Sequence, residues 1–191
     1  TLTFGLTLGV TMIASPPVRA ADPPGGSPPS LSFRVSTDGG FEFDTGPLRG
    51  RLRAAGKSLG LSAVTHVSTG ASLERGHGLF SHYRVFANGR RFGGGAWDWP
   101  GSVAGLEQGA VRVTWAATGE RPFTLEAVYR WADPLTLDLE TRVTAQTNLA
   151  GFEVFLASYF NEGFTNAMAW TAPEPPATEP AFTRADRSAG D

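Results

Sequence analysis

Three histidines are the chain's candidates for acid–base chemistry, because an imidazole changes charge near neutral pH. His66 closes the run Leu61 to His66, in phase with Val64. His77 sits between glycines in Arg75-Gly76-His77-Gly78. His82 lies in Phe80-Ser81-His82-Tyr83-Arg84, in phase with Phe80 and Arg84. A hydrogen-bonded structural role is the other reading of each. The spacing of His77 and His82 fits no zinc motif, so no metal site is assigned. Cys is absent, which excludes a thiol nucleophile and disulfides. No G-x-S-x-G occurs, so a serine-hydrolase elbow is excluded. Asp98, Glu153 and Glu162 are the carboxylates that could pair for glycoside chemistry.

A second candidate is a loop rather than an acid. Phe92-Gly93-Gly94-Gly95-Ala96-Trp97-Asp98-Trp99-Pro100 sets two indoles around one carboxylate, after a glycine run that can bend sharply. Flat rings stack on the apolar face of a sugar, and a neighbouring carboxylate accepts its hydroxyls. Such an apolar wall with few polar groups suits a small-ligand site. The competing reading is a loop plug, with the indoles capping the core. No G-K-[ST] follows the glycines, so this is no phosphate loop and no cofactor is assigned. Arg49, Arg51 and Arg53 share one strand parity. They read as a solvated sheet face paired with acids on neighbouring strands, with an anion site as the minority reading.

The elements that must position these groups read as β-strands. Phe123, Leu125, Ala127, Tyr129 and Trp131 alternate with polar residues. After a turn at Ala132-Asp133-Pro134, Leu135, Leu137 and Leu139 alternate in the same way, toward Val143. Phe152 to Phe160 reads as the third strand of an antiparallel meander. Its two faces are both apolar, which predicts a central strand covered on both sides. Val111, Val113 and Trp115 mark an earlier strand, and shorter ones precede it between Ser32 and Phe86. No apolar repeat of helical period is sustained. The predicted fold is all-β: an antiparallel β-sandwich of two packed sheets.

The ends read differently. Residues 1–20 hold an apolar stretch too short to span a membrane, then Ser15-Pro16-Pro17 and a small-residue site. They are predicted to be a signal peptide cleaved after Ala20, with its basic start lost and a buried strand as the other reading. Because the first residue is Thr1, the chain is expected to be a fragment. Residues 21–30 form a Pro/Gly linker, 31–170 the sandwich, and 171–191 a disordered Pro-rich tail. The expected location is exported, periplasmic or extracellular, with no stable membrane span after cleavage. The 191 residues carry a net charge of -2, from 16 basic and 18 acidic side chains. So balanced a chain has no field to hold nucleic acid.

Phe155-Leu156-Ala157-Ser158-Tyr159-Phe160-Asn161, at the end of the meander, resembles the galactose mutarotase-like β-supersandwich family. Aldose 1-epimerases carry Asn-His-(Ser/Thr)-Tyr-Phe-Asn at a comparable strand. The chain is also similar to secreted proteins of environmental bacteria such as planctomycetes. The resemblance implies a supersandwich, incomplete here because the tail after Trp170 lacks the family's remaining strands. Ser158 to Asn161 match the motif; Leu156-Ala157 stand where the family has Asn-His, its general acid. Ala157 can donate no proton. The reading is therefore an exported carbohydrate-binding domain, with Trp97, Asp98, Trp99, His82, Arg84, Tyr159, Asn161 and Glu162 as candidate contacts. One alternative is an epimerase or lyase using His77 or His82 with Glu162. Another is a structural or interaction sandwich with no small ligand.

Overall fold

The computed structural model describes residues 6–10, 30–53, 60–166, 168–171 and 181–184. Its strands in chain order begin with β1 (Leu6–Val10), β2 (Ser30–Val35), β3 (Phe41–Asp44), β4 (Leu48–Leu52) and β5 (Leu61–His66). There follow β6 (Ala71–Ser72), β7 (Ser81–Ala87), β8 (Arg90–Arg91), β9 (Ser102–Gly105) and β10 (Val111–Trp115). The remainder are β11 (Phe123–Asp133), β12 (Thr136–Ala145), β13 (Glu153–Ala157), β14 (Met168–Thr171) and β15 (Ala181–Arg184). One sheet has the order β1-β12-β11-β10-β9, a second runs β2 to β6 in sequence, and a third is β13-β7-β8. Among the described residues, β14 and β15 pair only with each other. The pairings are antiparallel and the fold is all-β, as predicted.

Two layers result. Leu61 and Leu79 exchange backbone hydrogen bonds of 2.8 Å each way, joining the second and third sheets into one layer. The sheet containing β10, β11 and β12 is the other. Alternation decides what lies between them. Phe123, Leu125, Ala127, Tyr129 and Trp131 are buried, while Thr124, Glu126 and Val128 on the reverse face are half-buried. At one end Trp131 meets Phe43, ring centroids 4.8 Å apart. At the other, Phe123 takes Phe92 and Phe152 edge-on at 5.1 and 5.3 Å. Each fully buried side chain of this size contributes about 2–3 kcal/mol of transfer free energy. The arginine-rich β4 turns its charges outward, with Arg49 bonded to Asp44 at 2.7 Å and Arg51 to Asp38 at 3.3 Å.

The third meander strand departs from expectation. β13 does not follow β12 into its sheet, because the far edge of β12 is occupied by β1. It crosses to the other layer and pairs with β7. Among the described residues it is an edge strand, and its side chains are not covered on both faces. Phe155 is 49% exposed and Leu156 37%. Phe160 and Phe164, just beyond, are 46% and 51% exposed, with rings 5.4 Å apart.

The terminal segments are described in part. Leu6–Val10, inside the expected signal peptide, lies antiparallel along β12. The linker before Ser30 lies outside the described residues, and Ser30 itself opens β2. Within the expected tail, Ala181–Arg184 pairs with Met168–Thr171; the Pro-rich stretch 172–180 lies outside the described residues.

Candidate functional site

β7 is where parity fails, and the failure builds the site. Leu156 pairs with His82 and Val154 with Val85, so two residues, Tyr83 and Arg84, face the single Phe155. Such a bulge returns the chain to its original face after an odd step. His82 and Val85 therefore both point inward, fully buried, while Tyr83 and Arg84 are left at the surface. Arg84, expected in phase with His82, is on the outer side instead. Its Nη2 donates to the Tyr83 hydroxyl at 3.2 Å, and its guanidinium carbon lies 4.8 Å from that ring's centroid.

The glycine run seats the two indoles. A side chain at Gly95 would come within 2.8 Å of the Trp97 Nε1, and one at Gly93 within 3.0 Å of the Trp99 Nε1. Both rings thus fold back over backbone that only glycine leaves bare. Gly93 also has φ 67°, a left-handed conformation that favours glycine. Ala96–Asp98 then forms a 3-10 turn anchored by the fully buried Ala96. In such a turn, residues two apart point to different sides.

Trp97 and Trp99 accordingly part company. Trp99 packs against the core, edge-on to Phe123 at 6.0 Å, with the Arg121 guanidinium carbon 4.0 Å above its ring. Arg121 is itself buried, donates to the Ala116 carbonyl at 2.5 Å, and has its pKa lowered by desolvation. Trp99 fits the loop-plug reading. Trp97 turns the other way, its ring 4.4 Å from Tyr83, 5.9 Å from His77 and 6.4 Å from Tyr159. His77 meets Tyr159 at 5.1 Å.

The His77 loop is laced to the strand that follows β13. Arg75 donates its backbone amide to the Tyr159 carbonyl at 2.8 Å, and Tyr159 donates to the Gly78 carbonyl at 2.9 Å. Gly76 and Gly78, both with positive φ, allow the loop to curl between these bonds. An exposed His77, half-buried Tyr83, Trp97 and Tyr159, and exposed Arg84 form one aromatic platform. Asp98 is exposed on the turn between the two indoles.

Other sequence candidates lie elsewhere. His82 is on the opposite face of β7, 2.8 Å from the Thr141 hydroxyl and 5.4 Å from the Trp115 ring. Burial pushes its pKa down to about 4, so it is neutral at physiological pH and closed to solvent. His66 shares a hydrogen bond of 2.9 Å with Thr69. The Ser158 hydroxyl accepts the Phe80 amide at 2.9 Å. Asn161 serves a turn, its side-chain oxygen accepting the Gly163 amide at 3.1 Å, and Glu162 is exposed within that turn. Tyr83 and Thr141 were not singled out in the sequence. Thr141 could have been found, since it shares the inward parity of Leu137, Leu139 and Val143. The chain matches no protein-family model, no curated protein and no solved structure.

Proposed function

We propose that the chain is a carbohydrate-binding β-sandwich, exported and mutarotase-like, that binds sugar on the Trp97 platform. One observation carries this reading: Trp97 is held half-exposed against Tyr83, with His77 and Tyr159 beside it. A sugar ring stacked on Trp97 would keep its hydroxyls free to reach Arg84 and Asp98, which are both exposed. Aromatic walls with a few polar groups are the common make-up of small-ligand sites. Binding is favoured over turnover. Ala157 offers no proton, and His82 is buried on the other face from Tyr83 with its pKa low. Asn161 and Glu162 then contribute at most from the turn after Tyr159.

Glycan-array screening followed by calorimetry tests the reading. Trp97→Ala and Tyr83→Ala are expected to weaken binding about tenfold or more, on the scale of lost aromatic contacts. Unchanged affinity in both variants would overturn it.

A further inference from the structure

A cleft on the outer side of the second sheet, separate from the Trp97 platform, is built around a bulge. Arg49 pairs with Thr65 and Arg51 with Ser62, so Ala63 and Val64 together face Gly50. Ala63 takes φ 50°, unusual for a residue with a side chain. Its amide donates to Glu74 Oε1 at 2.9 Å. Glu74 thus pins a strained bulge with one carboxylate oxygen. The other, Oε2, is buried and has no hydrogen-bond partner among the described residues. A carboxylate oxygen out of water without a donor is costly to hold.

The cleft has a volume of about 500 Å³, within the usual range for small-molecule sites. Asp38, Arg51, Arg53 and Glu74 line it, so its charges cancel. One pair is already spent. Asp38 Oδ2 accepts from Arg51 at 3.3 Å, while Oδ1 accepts from the Ser36 hydroxyl and the Gly40 amide. That leaves Arg53, which makes no ion pair with the described residues, and the half-used Glu74. A polyanion would meet the two carboxylates, and a polycation the two guanidinium groups. A ligand bearing one charge of each sign meets neither conflict.

We propose that this cleft binds a small zwitterionic amino-carboxylate, with Arg53 taking the carboxylate and Glu74 Oε2 accepting from the ammonium group. The Arg53 fork suits two carboxylate oxygens, and an ammonium N–H supplies the donor that Glu74 Oε2 lacks.

Heteronuclear NMR titration of the full chain tests this with glycine, β-alanine and γ-aminobutyrate, which space the two charges progressively. At least one is expected to bind, shifting the amide of Ala63. Acetate, ethylamine and glycine betaine each lack the carboxylate, the ammonium or its N–H donors, and are expected to bind about tenfold more weakly or worse. Glu74→Gln keeps an oxygen for the Ala63 amide, so its fold is preserved, yet it loses the anionic acceptor. Arg53→Ala alters only an exposed side chain. Both variants are expected to lose about tenfold or more in affinity at unchanged melting temperature. No binding by any of the three amino acids, equal binding by the controls, or full affinity in both variants would overturn the proposal.

Discussion

His82 Nε2 and the Thr141 hydroxyl lie 2.8 Å apart, forming a polar bond between the two layers within a largely apolar core. Thr141 stands among inward-facing Leu139 and Val143, and pairs across β11 with Ala127. Either group can donate, depending on the imidazole tautomer. Nδ1 has no hydrogen-bond partner among the described residues. Protonation would therefore place an uncompensated charge beside Trp115, and burial resists it.

Stability should consequently fall in mild acid. The folded pKa is depressed to about 4 from the usual 6.5, so below pH 6.5 the unfolded chain gains a proton that the folded chain refuses. The contribution is fully present above 6.5, is lost progressively toward pH 4, and levels off beneath it. The loss is about 3 kcal/mol over that window. Urea unfolding across this range should give a shallower slope in His82→Gln than in the natural chain. Parallel slopes would rule out His82 as the sensor.

The two indoles of the loop should separate by phenotype. Trp99→Ala removes a ring packed on Phe123 and Arg121, and should cost about 2–3 kcal/mol by thermal or urea unfolding. Trp97→Ala, from a half-exposed platform, should cost about 1 kcal/mol or less while removing sugar affinity. Equal destabilisation by both would mean that Trp97 is also a plug.

Tyr129→Phe should destabilise without touching either proposed site. The buried hydroxyl donates at 2.9 Å to the carbonyl of Phe80, a residue at φ 58°. Its removal leaves that carbonyl under-satisfied, at a cost of about 1–3 kcal/mol. Calorimetric unfolding checks this, and a change below a few tenths of a kcal/mol would show the bond to be dispensable.

Phe155→Lys should suppress self-association. β13 is an edge strand among the described residues, and Phe155 stands beside Phe86 with rings 5.8 Å apart on an open face. A charge there opposes edge-to-edge pairing. Light scattering at rising concentration should show less association in the variant, with the melting temperature little changed. Undiminished association would place the contact elsewhere.

The hairpin of β11 and β12 was legible because alternation states which residues share a face. It does not state which strand becomes the neighbour: the meander places β13 beside β12, whereas β1 takes that edge and β13 pairs with β7. Parity also assumes an unbroken strand. Phe80, His82 and Arg84 read as one face, yet Phe80 has positive φ and the bulge at Tyr83 shifts Arg84 outward. Trp97 and Trp99 read as a pair for the same reason, and a 3-10 turn separated them. The aromatic loop was visible as chemistry. Its partners, His77 and Tyr83, depended on backbone geometry that residue types do not encode.

The amide of Phe80 reaches the Ser158 hydroxyl across 78 residues of chain, and β13 closes on β7 over a similar span. The hairpin of β11 and β12 pairs close neighbours and can form early. The β7–β13 sheet must wait for its second strand to be synthesised. Contacts this distant in sequence slow folding, because loop-closure entropy is lost before they are made. Until then β7 has one edge bare. The platform that holds Trp97 between Tyr83 and Tyr159 is thus tied to a contact that is slow to close.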